Sequence, residues 1–519
     1  MRQEASVILV NPSDWHMGYS FITPRWLYVI AQATPGDTVG DPILVDEVIA
    51  AFDPSLVTAG DIVGIGICTG NCLAGYRVLR QAKERGARVI VGGIHATIFP
   101  DEPLKMGADA VVTGNGDIVW RAAIEDALNG KLVPRYDGGR VPGEGLLKAR
   151  WNLLDPGRYL LPSVQTVAGC PENCSFCSVW VTDGRQPRER LSTKIIEEVN
   201  ELYSMGYRFV VFADDNFNPA TRARIERETS PKRRQELERI REDRLRFFDE
   251  YGRSVPEDMQ AFTQMTVEVA TDEEYFAAMY SKMRIRTALV GIESFYSGGL
   301  AAANKSWSPV GDRMVETIRL IQDRGILVLS SIICGLETDS VDSLRSMSRF
   351  ARDTGSALAQ FTVYRPYPGT KDYFEMLSDE KHRDQNGYLP KHLSRVTDQS
   401  FWLDARNPVD WFEHARLSSS QLISENKRCW DEFYAVPQIL RRAWKGVAST
   451  WPLGGRLAYV FLSIVFHRVY AGHGMIADSV QKRRSPITKL FIKLAIVVYG
   501  FFFRSRVLRL RVSATSSSS

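Results

Sequence analysis

Three cysteines, Cys170, Cys174 and Cys177, stand in the run Gly169-Cys170-Pro171-Glu172-Asn173-Cys174-Ser175-Phe176-Cys177. Thiolates at this CxxxCxxC spacing on one short loop can wrap three corners of an iron–sulfur cubane. An electron-transfer cluster normally takes four protein ligands, and no fourth cysteine follows at a matching distance. One iron would then stay open to a small molecule. The competing reading is structural zinc, which uses four ligands in paired spacings; no partner pair follows here. Cys334 and Cys429 are isolated and read as small buried hydrophobes.

Carboxylates follow apolar runs further along: Asp214-Asp215-Asn216-Phe217, Glu268, and Glu293 within Gly291-Ile292-Glu293-Ser294. Such a group can face a cation or bond sugar hydroxyls. It can equally cap a helix or pair with an arginine of the protein. Glycines close several apolar runs earlier in the chain, at Gly64-Ile65-Gly66-Ile67-Cys68-Thr69, Gly92-Gly93-Ile94-His95 and Gly114-Asn115-Gly116-Asp117. There the backbone can approach a ligand closely.

The elements that must position these residues alternate between strand and helix. Val7–Val10, Ile62–Ile67, Arg88–Val91 and Ala110–Thr113 read as strands, with helical spacing over Gly75–Arg85. This pattern implies a doubly wound, flavodoxin- or Rossmann-like parallel sheet over residues 1–133. Ligands of such sheets lie beyond the carboxyl ends of the strands, where the glycines fall. Gly, Pro and mixed charge mark a linker over 134–158. A second series covers 159–380, with strands near Val164–Val167, Phe209–Ala213, Thr263–Val269, Thr287–Ile292, Leu327–Ile333 and Ala359–Tyr364. Helical patterns lie between them at Lys194–Tyr203, Asp272–Met283, Arg313–Asp323 and Ser340–Asp353, and the Arg/Glu-rich Thr221–Arg253 reads as a long solvated helix. Six βα units make a partial (β/α)6 barrel with its site on the loops after the strands. Residues 381–519 read as mainly helical, and Ser516–Ser519 as a disordered end.

The chain has 519 residues, 44% hydrophobic and 24% charged, with a formal net charge of +4. Its length calls for two or three domains, and the near balance of charge argues against a nucleic-acid partner. Seven cysteines are too few for a disulfide scaffold and no secretory signal opens the sequence, which suits a reducing cytoplasm.

The cysteine motif at the end of a first barrel strand resembles the signature of the radical S-adenosylmethionine (SAM) superfamily, over about Ser163–Thr370. The resemblance implies a [4Fe–4S] cluster on Cys170, Cys174 and Cys177, with SAM chelating the open iron. Reduction by a donor such as flavodoxin or ferredoxin then splits SAM to a 5′-deoxyadenosyl radical. It also implies SAM contacts from Asp214, Asp215, Glu268 and Glu293. Tyr364-Arg365-Pro366-Tyr367-Pro368-Gly369-Thr370 is similar to the family's closing strand and turn, although a bland turn reads the same way.

The first domain resembles the cobalamin-binding domain of the vitamin B12-dependent branch. Cobalamin contacts are then implied for Thr69, Gly92, Gly93, His95, Gly114 and Gly116. Asn115 and Asp117 depart from that branch's Gly-Glu-Gly-Glu turn. His16, in Asp14-Trp15-His16-Met17-Gly18, stands where a cobalt-ligating DxHxxG motif would lie, with its glycine one residue early. The layout resembles the hopanoid methylase-like methyltransferases. It implies methylation of an unactivated carbon of a small or lipid-like substrate through methylcobalamin. Ring formation or oxidative rearrangement is the alternative outcome in this branch, and a non-catalytic cobalamin sensor is a distant one.

The apolar blocks Leu457–Phe466 and Leu494–Phe503 are each about half the roughly 20 residues that span a bilayer. Lys489, Lys493, Arg504, Arg506, Arg509 and Arg511 flank or interrupt the second block, which suits a helix on the inner face of an anionic membrane. A helix docked on the barrel accounts for the same pattern.

Overall fold

The computed structural model describes residues 5–378, 401–403, 414 and 416–471. Short apolar runs closed by glycine build the first sheet: β1 (Val7–Asn11), β2 (Ile43–Asp46), β3 (Ile62–Gly66), β4 (Arg88–Gly92), β5 (Ala110–Thr113) and β6 (Arg135–Asp137). All pair in parallel, in the order β2-β1-β3-β4-β5-β6. The order reverses at β1, which opens a crevice at the carboxyl ends of β1 and β3. Helices α1 (Arg25–Ala33), α2 (Cys72–Glu84) and α3 (Gly116–Leu128) cover the faces. The stretch expected as a linker opens with β6, whose Tyr136 is buried. The first sheet therefore runs past residue 133. Trp151, further along, is fully buried against Tyr28, with ring centroids 5.0 Å apart.

The second sheet is β7 (Ser163–Val164), β8 (Phe209–Phe212), β9 (Gln260–Met265), β10 (Ile285–Glu293), β11 (Leu327–Cys334) and β12 (Leu358–Val363). Its strands lie side by side in chain order and all in parallel, as a six-unit half barrel requires. The helices around it are α4 (Ser192–Ser204), α5 (Pro231–Ser254), α6 (Glu273–Ser281), α7 (Asp312–Asp323) and α8 (Val341–Asp353). On β10, Ala288, Val290 and Ile292 are fully buried against the helices, while Thr287, Leu289 and Gly291 are partly open. This period-2 split marks an accessible barrel interior.

Three expectations need correction. The first barrel strand is only Ser163–Val164, and Val167–Ala168 pairs antiparallel with Arg188–Glu189 instead of continuing it. The third barrel strand ends at Met265, and Val267–Thr271 forms a 3₁₀ turn leading to α6, capped by Asp272. The β-branched run Thr266–Val269 looks like strand, but its buried Val267 and Val269 are satisfied equally well by a tight turn. The charged segment Thr221–Arg253 is also no single solvated helix. It breaks before Pro231, and α5 buries Leu237, Phe247, Phe248, Tyr251, Arg241 and Arg244.

Helices α9 (Ser419–Phe433), α10 (Val436–Lys445) and α11 (Leu453–Tyr470) complete the described chain. The first packs on α8 and β12, with Trp430 donating to the Phe361 carbonyl at 2.9 Å. The Leu457–Phe466 block lies within α11. The Leu494–Phe503 block, its flanking cations and Trp411 lie outside the described residues. Among the described residues no helix is long and apolar enough to cross a membrane.

Candidate active site

The cysteine loop begins where the chain leaves β7 and turns at Gly169, with φ +86°. A Cβ at Gly169 would sit 3.0 Å from the Gly184 carbonyl oxygen and 3.2 Å from that of Gln186. Glycine is required for that close approach. Backbone bonds hold the loop: Cys170 N donates to Gly184 O at 3.2 Å and Ser175 N to Ala303 O at 3.2 Å. Trp180 Nε1 donates to Cys174 O at 3.0 Å, and Asn304 Nδ2 to Asn173 O at 2.9 Å.

All three thiols are free and partly exposed. Burial of their surroundings pushes them up, Cys174 to about 12 and Cys177 to about 11, while the Lys305 ammonium opposes the rise. Three free thiols on a braced loop, with a cation beside two of them, fit a cluster that takes thiolate ligands.

The four carboxylates proposed for SAM divide. Asp214 is fully buried and accepts from Thr166 N at 2.6 Å, from Val167 N at 3.1 Å and from the Thr166 hydroxyl. It fixes the stem of the cysteine loop. Arg244, also fully buried, donates to Thr166 Oγ1 at 2.8 Å, to Phe217 O at 2.6 Å and to Glu189 at 3.1 Å. Glu268 lies on the 3₁₀ turn and takes a bidentate pair from Arg227, at 3.0 and 2.8 Å. Arg227 also reaches Glu172 of the cysteine loop at 3.1 Å and lies over the Trp307 ring at 4.3 Å. Glu293 accepts from Lys305 Nζ at 3.0 Å, and the same ammonium donates to Gly291 O at 2.7 Å.

Asp215 differs from the other three: its side chain is exposed. Protein crowds around it nevertheless, and burial pushes its carboxyl up to about 7, with Asp183 and Asp214 adding to the rise. Its exposure leaves the carboxyl accessible to a ligand. A carboxylate there has most to gain from a ligand cation.

The carboxyl edge of the first sheet has a different character. Gly93 (φ +101°) and Gly114 (φ +65°) are exposed, but a Cβ would meet the protein's own backbone, 2.4 Å from Ile67 O and 2.5 Å from Gly139 O. Gly116 packs against Val112. Gly93 and Gly114 are therefore needed for the domain's own turns. Gly92 leaves ordinary room, 3.5 Å from Val112 O. Ile94 and Ile118 stand exposed on this edge beside the glycines. Exposed isoleucines beside small residues suit contact with the apolar face of a ligand such as a corrin.

His95 is fully buried, so its ring offers no contact surface. Its Nε2 lies 2.8 Å from Glu102, and Glu102 also accepts from Tyr76 OH at 2.7 Å and Trp402 Nε1 at 2.9 Å. With Nε2–H given to the carboxylate, Nδ1 accepts the Thr69 hydroxyl at 3.0 Å. Thr69 then keeps its oxygen lone pairs for a donor at the sheet edge. His16, exposed after β1, has Nδ1 2.6 Å from Glu47 O, which leaves Nε2 as the unprotonated nitrogen suited to a metal.

The two carboxyl edges meet. Asn115, the departure in the Gly-x-Gly turn, accepts from Arg188 of the barrel at 3.2 Å and from Val141 N at 3.3 Å. A Cβ on Gly369, beyond β12, would lie 2.3 Å from the Ile98 side chain of the first domain. Asp372 N, from the same stretch, donates to Ser175 O of the cysteine loop at 3.2 Å. The sequence reading missed Lys305, Arg227, Arg244 and Trp402. Each is isolated from its partner in sequence, and no spacing links them.

A parallel half barrel with three free cysteines on the loop after its first strand defines an iron–sulfur enzyme class. Residues 164–351 match the model of the radical SAM superfamily. An uncharacterized methyltransferase of Pyrococcus horikoshii is 26% identical over 420 residues, 76% of this chain and 82% of the relative. The anaerobic magnesium-protoporphyrin IX monomethyl ester cyclase of Rubrivivax gelatinosus is 25% identical over 415 residues, 72% of this chain and 70% of the relative. Among solved structures, the radical SAM methyltransferase TsrM of Kitasatospora setae, with cobalamin and a [4Fe–4S] cluster bound, shares the fold at a TM-score of 0.55 and 16% identity. The match covers 72% of this chain and 78% of TsrM.

Proposed function

We propose that the protein is a cobalamin-dependent radical SAM methyltransferase acting on an unactivated carbon of a small or lipid-like substrate. The observation that carries this reading is the meeting of two parallel-sheet edges, one with three free cysteines and the other with glycine-rich turns and exposed isoleucines, across Asn115 and Arg188. The TsrM fold, with both groups bound in that protein, supports it. When bound, the cluster and SAM supply a 5′-deoxyadenosyl radical, and the corrinoid supplies a methyl group.

The chain's own residues hold and shield these groups. Cys170, Cys174 and Cys177 ligate the cluster. Asp214 and the Arg227–Glu172 pair keep their loop in place. Asp215 accepts the amino group of SAM. Thr69 accepts a hydrogen bond from the corrinoid, with His95 and Glu102 fixing its polarity, and His16 is the side chain suited to cobalt. Flavodoxin or ferredoxin supplies the electron, and the basic C-terminal segment attaches the enzyme to the inner membrane face.

SAM carrying a deuterated methyl group tests the reading. Anaerobic turnover should place the label in a product heavier by one CD₃-for-H exchange. The cyclase relative favours a second reading, ring formation. Turnover with no label in any product would select it.

A further inference from the structure

The end of the described chain carries a surface that the reaction does not use. Helix α10 turns Ile439, Arg442 and Ala443 inward, with Arg442 Nε bonded to Tyr459 OH at 2.9 Å and its Nη1 to Phe433 O at 2.9 Å. Its outer face repeats at the helical period of i, i+4, i+8: Val436 is 61% exposed, Leu440 42% and Trp444 40%. After the turn at Gly446–Pro452, α11 begins with Leu453 at 64% and Leu457 at 53% exposure. Leu440, Trp444, Leu453 and Leu457 therefore flank the tip of one helical hairpin. Isolated exposed leucines need no explanation, but four large exposed apolar side chains on two successive helices, one of them a tryptophan, do.

The charge around this tip is of one sign. Arg441 and Lys445 are exposed on α10, and Arg456 is half-buried at the start of α11. Between Glu432 and Asp478 the sequence contains no Asp or Glu. A protein partner would ordinarily need acids to meet such a face. Water alone would not favour four large apolar side chains on it. Apolar side chains including Trp, flanked by Arg and Lys, match the interface of an anionic bilayer, where rings and aliphatic groups enter the headgroup layer and cations meet lipid phosphates.

We propose that the α10–α11 hairpin tip is a docking surface for anionic membrane lipid. It is distinct from the basic tail beyond residue 471 and does not rest on the methyl-transfer reading. The far end of α11 packs Val465 against Met17, Tyr19 and Phe21, on the loop that follows β1. The helix thus ties the docking face to the first domain.

The test is vesicle flotation of the full chain, on phosphatidylcholine vesicles with and without phosphatidylglycerol. The wild type should float only with phosphatidylglycerol. Arg441→Glu with Lys445→Glu should lower the partition coefficient about tenfold or more, since each basic group contributes about 1 kcal/mol near such a surface. Leu440→Ser with Trp444→Ser and Leu457→Ser should lower it at least as far, with an unchanged melting temperature. If that triple variant fails to fold, brominated lipid should quench the wild type and spare Trp444→Phe by the share of that one ring. Absence of wild-type flotation on either vesicle would overturn the proposal. So would variants that float as well as the wild type, which would assign attachment to the tail. Light scattering that shows a wild-type dimer and variant monomers, with no difference in flotation, would assign the face to a second copy and overturn it equally.

Discussion

The two sheet edges that face each other are built by opposite means. The barrel edge is crowded with ions: Glu172, Glu268 and Glu293 are each held by Arg227, Arg224 or Lys305. The edge of the first sheet has ions beside β1 and β2, where Arg77 pairs with Glu47 and Asp14, but beyond β3, β4 and β5 it presents glycines, Thr69 and two exposed isoleucines. A loop that must hold a charged cluster in place while it is reduced needs bracing in several directions, and charge-assisted bonds supply it. A rim that must accept a broad ligand needs space, and braces would fill that space. The same parallel architecture therefore serves a rigid site and an open one, according to where the protein's own charges are satisfied.

That contrast can be broken most severely at the cysteines. Cys174→Ala should cost nearly all the iron taken up on anaerobic reconstitution and abolish 5′-deoxyadenosine, while cobalamin titration stays near wild type. Loss of both cofactors together would mean that the edges are not independent.

Arg227→Met comes next. It leaves Glu268 unpaired and removes one of two cations from Glu172, both buried. Removing one partner of such a pair costs about 3 kcal/mol. The urea midpoint should fall and cluster loading with it.

A smaller effect is expected in the first domain. Glu102→Gln weakens the fixed tautomer of His95 and frees Thr69 to reorient, costing about 1 kcal/mol, or roughly fivefold in cobalamin affinity. Absorbance titration reads it, and His95→Gln should act in the same direction. Thr69→Ser should retain the wild-type affinity.

The last effect, small because solvent reaches the exposed Asp215 side chain and screens it, concerns that carboxyl, pushed up from an ordinary 3.8 to about 7. A raised carboxyl contributes its stability below the unfolded pKa and loses it as pH climbs through the folded value. The melting temperature of cofactor-free protein should therefore drop between about pH 4 and pH 7 by an amount that Asp215→Asn removes. An identical slope in both proteins would place the carboxylate in open water.

What the sequence made legible follows from locality. The three candidate cluster ligands fall within eight consecutive residues, so their spacing alone points to them. Strand and helix alternation disclosed both sheets because each element carries its own period. The fates of Asp214, Glu268 and Glu293 were not legible. Each was seen as a carboxylate after a strand, but its partner comes from elsewhere: Thr166 is 48 residues away from Asp214, and Arg227 is 41 from Glu268. Tertiary packing supplies these partners, and no local signal in the sequence shows them. Gly93 and Gly114 show the same limit, since both ligand approach and backbone approach demand glycine. Strand β6 was hidden because three residues rich in charge read as linker, although one buried tyrosine suffices to seat them at a sheet edge.

The most direct test is electron paramagnetic resonance of the anaerobically reconstituted, dithionite-reduced protein before and after SAM is added. Three cysteine ligands and an open iron predict the signal of a reduced [4Fe–4S] cluster whose shape changes when SAM occupies the fourth iron. A cubane signal that SAM leaves unaltered, or no cubane signal at all, would contradict the account.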